Sequence, residues 1–463
     1  MSELHYRSLT WVCARIRSGE LRARDVVRSQ LERIETFEPS LHAYARVLAD
    51  PALERAEALD RAREAGEPLG ALHGVPIALK DLIDLSGWPT ASGTRVMADR
   101  QAQRTATVAA RLEAAGAVIV GKTQLTEGAY GVHHPDIQPP LNPWDSSRWT
   151  GVSSSGSGVA VAAGLCFGAL GSDTGGSIRF PAASCGTVGV KPTYGRVSRH
   201  GVFPLAESLD HIGPMTRTVA DAARLLQVMA GHDPHDPTSL ELPVPDWTSE
   251  PGRPVRGLKV GIDRAYVSRG VEREVVEGVD RAASLLKDLG AQICAVSMPA
   301  SYRELVEQWG ITCAVECAHA HRDYYPSRAG EYGPILAELI ELGRNPPAGA
   351  YEWLENVRAG FREALDALLR EADVLLCPNM PYLAPPADRV LELSADPDRA
   401  GGLTFTAPFD YSGHPTLSLP IGLSAGRLPV TIQLVAPRLE EGRLFRVASA
   451  LEAAADFHDR PLP

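Results

Sequence analysis

The sequence predicts an α/β fold in which helices cover a mostly apolar sheet. Three observations predict it. Short apolar runs that read as buried strands recur along the chain, as in GVPIALK at 74–80 and AVIVG at 117–121. Segments with apolar residues at helical spacing alternate with them, as at 107–114 and 272–289. No internal repeat and no sharp change of composition divides the 463 residues, so one large domain over 1–463 is expected.

The elements follow in order. Ser8 is placed to cap a first helix. A second helix, periodic over 24–34, is expected to end at Pro39, and a third covers 52–65 before the turn at Gly66-Glu-Pro. These make a helical segment over about residues 1–65. The run 74–80 is a strand with Lys80 at its end; a helix at 107–114 and a strand at 117–121 come next. Residues 151–177 are dense in Gly, Ser and Ala around the apolar stretch 159–170, which reads as loop, small-residue helix, short strand and second loop. A helix is expected at 219–230, and the proline-rich, acidic stretch 232–254 reads as a surface loop. Strand 258–262, helix 272–289 and strand 291–296 repeat the alternation, as do helix 361–370 and strand 374–377. Strands at 416–419 and 429–435 and a closing helix over 440–453 complete the chain.

Composition limits the function. The net charge of -11 is spread along the chain, and Lys and Arg form no dense block. Nucleic-acid and anionic-membrane roles therefore lack electrostatic support. The seven cysteines are odd in number and include no CxxC, which fits reduced thiols in a cytoplasm rather than a disulfide framework. The N-terminal stretch MSELHYRSLTWVCARIRSGE is charged throughout and reads as no secretory signal. No window approaches the roughly 18 consecutive apolar residues of a membrane span.

Three segments carry chemistry. In SDTGGSI, residues 172–178, paired glycines before a serine let backbone N–H groups converge beside a hydroxyl, which an acyl-transfer enzyme needs. A tight turn or an anion-binding loop would read the same way, but no Lys-Ser/Thr pair follows, so it is not a P-loop. The serine-rich SSSGS at 153–157 resembles a linker, except that an apolar helix follows it. Lys80 closes an apolar strand, where a charge is usually just solvated. Other patterns read as packing or surface: the SxxK at Ser284–Lys287, the pairs His133-His134 and His319/His321, which have no ligand partners at metal-site spacing, and Cys166 and Cys185.

Together these segments resemble the amidase signature family. Residues 151–196, GVSSSGSGVAVAAGLCFGALGSDTGGSIRFPAASCGTVGVKPTYGR, carry the resemblance, and it extends to GVPIALKD at 74–81, GKT at 121–123 with Glu127, NPWD at 142–145, SLDHIGP at 208–214, GHPTLSLP at 413–420 and LPVTIQL at 428–434. It implies a large mixed sheet covered by helices on both faces, with a signature core over about 74–215 and a variable substrate region over about 300–355. It implies Ser177 as nucleophile, Ser153 as bridging serine, 24 positions earlier, and Lys80 as general base. Backbone amides of Thr174, Gly175, Gly176 and Ser177 would form the oxyanion hole, and the 152–153 peptide would be cis. A free lysine, with a pKa of about 10.4, is a poor base near neutrality; burial would favour its neutral form.

The expected activity is hydrolysis of a small carboxamide through an acyl-enzyme, with no metal or organic cofactor. The expected partner is a small-molecule amide, and a homodimer is compatible with the resemblance. Tyr130, Trp144, Phe180 and Trp309, from the variable stretches 130–149 and 309–353 and the nucleophile loop, are expected to touch substrate. Two alternatives belong to the same family: the glutamine-hydrolysing A subunit of a tRNA-dependent amidotransferase, and an allophanate-type hydrolase, which often carries a further C-terminal domain. Val152 and Ser155 replace glycines of the usual serine loop; Phe180 stands where amidotransferase A subunits carry Gln, Asp410 where Asn is common, and Thr431 where Gly is common.

Overall fold

The computed structural model describes residues 4–390, 392 and 400–462. Eleven strands form one sheet: β1 (Tyr44–Val47), β2 (Pro76–Lys80), β3 (Val118–Thr123), β4 (Gly168–Asp173), β5 (Val188–Lys191), β6 (His211–Thr216), β7 (Lys259–Ile262), β8 (Gln292–Ala295), β9 (Val374–Pro378), β10 (Thr416–Leu423) and β11 (Pro429–Val435). Their spatial order is β1-β3-β2-β4-β6-β5-β10-β11-β9-β7-β8. The sheet is mixed. β3, β2 and β4 run parallel at one side, as do β9, β7 and β8 at the other, and antiparallel pairs join them through β6, β5, β10 and β11.

Every residue of β2 to β6, β9 and β11 is buried, so helices cover both faces, and even the polar Thr431 and Gln433 that alternate along β11 are buried. The edges differ: β1 exposes three of its four residues and no residue of β8 is fully buried. Helix Thr107–Ala114 lies between β2 and β3 and helix Arg273–Asp288 between β7 and β8, as parallel neighbours require a crossover. Pairing of Ile77 with Gly168 and Ala78 with Ala169 brings the carboxyl ends of β2 and β4 side by side. Ligand sites in sheets of this kind open beyond such strand ends.

The structure departs from the sequence reading at several elements. The helix expected to stop at Pro39 runs over Ala23–Leu41 and ends at His42 in the left-handed region. The missing proline N–H deprives only the carbonyl of the exposed Glu35. β1, β5 and β6 were not expected; β6 carries Pro214, a residue type that argues against a central strand, and it pairs with β5 only at Met215 and Thr216. The stretch 232–254 is not wholly surface, because Trp247, Asp233 and Asp236 are buried. The region 300–355 holds the helices Tyr302–Ala320 and Pro334–Arg344 and the start of Ala350–Glu371. Among the described residues no helix is long and apolar enough to cross a membrane.

Candidate active site

Lys80 ends β2 with no solvent exposure. Its Nζ lies 2.6 Å from Ser153 Oγ, 2.8 Å from Ser172 Oγ and 2.9 Å from Ser154 Oγ. Burial pulls its pKa down to about 7, although Asp173 and Asp210 oppose the fall. The amine is therefore available in neutral form close to neutral pH.

Ser153 and Ser154 stand at the start of helix Ser155–Ala162, and the Val152–Ser153 peptide is cis. Small residues are required here by close approach: a Cβ on Gly156 would meet the Ala43 carbonyl oxygen at 2.2 Å, and Gly151, at φ 81°, abuts the backbone of Pro181. The two departures from the glycine-rich loop have local partners. Val152 packs against the cluster of Phe180, Ala183, Met380 and Tyr382, and Ser155 Oγ lies 3.1 Å from His133 Nε2. The Ser154 N–H donates to the Ser177 carbonyl at 3.1 Å and ties the two loops together.

Ser177 follows β4 on a loop shaped by Asp173. Asp173 Oδ1 accepts the Gly176 N–H at 2.7 Å, and Oδ2 accepts those of Ile178 at 2.9 Å and Arg179 at 3.3 Å. Arg179, also fully buried, donates to both Asp173 oxygens and to Asp410 Oδ2 at 2.6 Å. The guanidinium holds the Asp173 carboxyl well below the usual range against the cost of burial. On the other side, Thr174 O accepts Trp309 Nε1–H at 3.0 Å, Gly175 O accepts the Thr406 hydroxyl at 2.6 Å, and the Thr174 hydroxyl donates to Asp210 at 2.6 Å. This corrects the expected oxyanion set: the Gly176 amide is spent on Asp173. Among the described residues the N–H groups of Thr174, Gly175 and Ser177 make no hydrogen bond. Side chains cannot replace the paired glycines, since a Cβ at Gly175 would strike Trp309 and one at Gly176, at φ 127°, would strike Phe180, both at 2.6 Å.

The structure thus brings Lys80, Ser153 and the Ser177 loop together. Ser154, Ser172, Asp173, Arg179 and Asp410 complete the surroundings, and the sequence reading gave none of them a role. Asp173 and Arg179 had a signal, since a buried loop of glycines with two flanking charges calls for an ion pair. Of the four expected substrate contacts, Tyr130 and Trp309 stack at 5.9 Å beside Gly175, and Phe180 stands over Gly176 against Trp149. Trp144 is the exception. Its indole N–H caps helix Arg179–Cys185 at the Cys185 carbonyl, 2.8 Å, and its ring stacks on Phe457, away from the loop. Tyr325, Tyr332 and Tyr351 likewise bond to Glu341, His321 and Glu316 rather than to the site.

Other nucleophile patterns are occupied by structure. Ser284 and Lys287 are exposed on helix Arg273–Asp288. GLSAG at 422–426 has the spacing of a nucleophile elbow, yet it closes the β10–β11 hairpin, with Ser424 Oγ accepting the Leu428 N–H. Cys166 and Cys185 are fully buried, and burial pushes the Cys166 thiol up to about 12.

The amidase family model matches residues 25–445. A putative amidase, AmiD, of Mycobacterium tuberculosis is 43% identical over 456 residues, covering 98% of this chain and 95% of the relative. The A subunit of the glutamyl-tRNA(Gln) amidotransferase of Chloroflexus aggregans is 38% identical over 486 residues, covering 99% of each chain. The crystal structure of a bacterial aryl acylamidase of the amidase signature enzymes superimposes with a TM-score of 0.89 at 27% identity, covering 98% of this chain and 97% of that one.

Proposed function

The chain belongs to the amidase signature family and is an amide hydrolase; on that premise we propose that it works through an acyl-enzyme on Ser177, with Ser153 and Lys80 as proton relay. The observation that carries the reading is the buried Lys80 amine, 2.6 Å from the Ser153 hydroxyl. Ser177 Oγ attacks the carboxamide carbon as its proton passes to Ser153 Oγ and the proton of Ser153 passes to Lys80 Nζ. The N–H groups of Thr174, Gly175 and Ser177 receive the oxyanion. Collapse expels ammonia or an amine, which takes a proton back through Ser153, and water then releases the carboxylate by the same route. Acyl transfer to added hydroxylamine tests it: hydroxamate should form at the expense of free acid, while total turnover of a substrate limited by acylation stays constant. Free acid as the only product at every hydroxylamine concentration would count against an acyl-enzyme.

The walls of the site support a substrate class. Phe180, Ala183, Met380 and Tyr382, with Trp149 and Val152 against them, form an apolar cluster apart from the main core, next to Gly176. With Tyr130 and Trp309 on the Gly175 side, these surfaces suit an aryl or alkyl amide. A second reading, glutamine hydrolysis for a transamidating complex, is favoured by the similarity to amidotransferase A subunits. Glutamine presents a charged α-amino and α-carboxylate group, which the aromatic faces do not match. Ammonia release from aryl amides, alkyl amides and glutamine separates the two: preference for the apolar amides supports the first, preference for glutamine the second.

A further inference from the structure

Three hydroxyls surround the Lys80 amine, and the bonding of one of them, Ser154, fixes what it can do. Ser154 Oγ has one proton and two lone pairs. Its proton goes to the Ser172 carbonyl at 3.2 Å, and one lone pair takes the Ser172 N–H at 3.3 Å. The remaining lone pair faces Lys80 at 2.9 Å, so Ser154 can only accept from the amine. Ser172 Oγ, 2.8 Å from Nζ, also lines a cavity of about 630 Å³ beside Asp210 and Leu205, which gives its proton another direction to point. Ser153 makes the shortest of the three contacts. A neutral amine has two hydrogens and one lone pair.

We propose that Ser154 and Ser172 are positioning residues that accept both hydrogens of neutral Lys80 and thereby aim its lone pair at the Ser153 hydroxyl. The inference rests on Lys80 being the base. When the Ser153 proton arrives, the ammonium's three N–H bonds meet the same three oxygens, so proton transfer needs only a turn of the Ser153 hydroxyl. Neither Lys80 nor the loops have to move. The hydroxyl shell serves both protonation states of the lysine, which a shell of carbonyl oxygens could not do.

Ser172 gives the cleaner test, because Ser154 also holds the backbone of Ser172. The full-length enzyme is compared with Ser172→Ala and Ser172→Thr by steady-state kinetics across mildly acidic to alkaline pH. Rates are normalised to the fraction of protein that a fluorophosphonate labels, so that misfolded molecules do not count. For Ser172→Ala we expect kcat about 10- to 100-fold lower with KM unchanged. We also expect the acidic limb of the profile to move to lower pH, since the ammonium has lost an acceptor. Ser172→Thr should return kcat and the limb to near the parent values. The inference is overturned if Ser172→Ala keeps kcat within about twofold of the parent, if its limb does not move, or if Thr fails to restore either. Lys80→Ala distinguishes the levels: an active Lys80→Ala enzyme overturns the base assignment itself, whereas a dead one beside an unaffected Ser172→Ala overturns only the positioning role.

Discussion

Lys80 on β2 and Lys191 on β5 are among the lysines fully excluded from solvent, and burial pulls both down to about 7. Their surroundings differ in kind. Lys80 faces three hydroxyls, of which Ser154 can only accept, while Ser153 and Ser172 have a proton not spent on another partner among the described residues. Lys191 Nζ faces the carbonyls of His414 at 2.7 Å and Pro192 at 3.2 Å, and His211 Nε2 at 3.3 Å. His211 Nδ1 lies 2.6 Å from the Leu209 carbonyl and so carries the ring's proton, which leaves Nε2 an acceptor. Lys191 thus meets three acceptors and no donor, the complement of an ammonium, and Asp410 nearby adds a favourable charge. Burial alone does not make a base. The lone pair must meet a hydroxyl that can give up its proton, and of these two lysines Lys80 alone has one.

The comparison can be broken by substitution. The largest effect should come from the proposed nucleophile: Ser177→Ala should lower kcat by about 10⁴-fold or more while circular dichroism and melting temperature stay those of the parent. Lys80→Met should cost about 10³-fold in kcat, in the range of a lost general base. Lys191→Met is the control. It removes a buried donor from three acceptors and leaves them unpaired, so it should lower unfolding free energy by about 3 kcal/mol, read by denaturant titration, and leave the pH midpoint of kcat/KM where it was. A midpoint that moves with Lys191→Met and not with changes around Lys80 would exchange the roles of the two lysines. The smallest effect should be at Phe180, outside both lysine pockets. Phe180→Gln should reduce kcat/KM for an aryl amide by about tenfold, leave the pH midpoint alone and raise relative turnover of glutamine. An unchanged ratio of aryl amide to glutamine would remove Phe180 from the substrate wall.

The same contrast explains what the sequence disclosed. Most strands and helices were legible because buried strands read as apolar runs and helices as periodic ones. β6 was not, since Pro214 and two short polar ends disguise it. Lys80, Ser153 and Ser177 were legible through spacing and resemblance, and the structure brings their segments together. Ser154 and Ser172 were hidden inside the same motifs, where a serine that donates and one that only accepts look alike. The Gly176 amide was misassigned because the demand of Asp173 for N–H donors is a three-dimensional fact. Trp144 was misplaced for a related reason: its position in a variable stretch says nothing about which end of helix Arg179–Cys185 it caps.

The most direct test of the account is the rate at which a fluorophosphonate labels the protein as a function of pH, with the modified residue identified by peptide mass spectrometry. Labelling needs the activated serine and no substrate. If Lys80 is the base, the rate follows its neutral fraction, because the ammonium form below its pKa cannot accept a proton and the free amine above it can. Labelling should therefore fall on Ser177, rise with pH, and reach half its maximum at about 7 in both the parent and Lys191→Met. A label on another residue, or a rate on Ser177 that is flat from mildly acid to alkaline pH, would contradict the claim that a buried, neutral Lys80 drives the reaction.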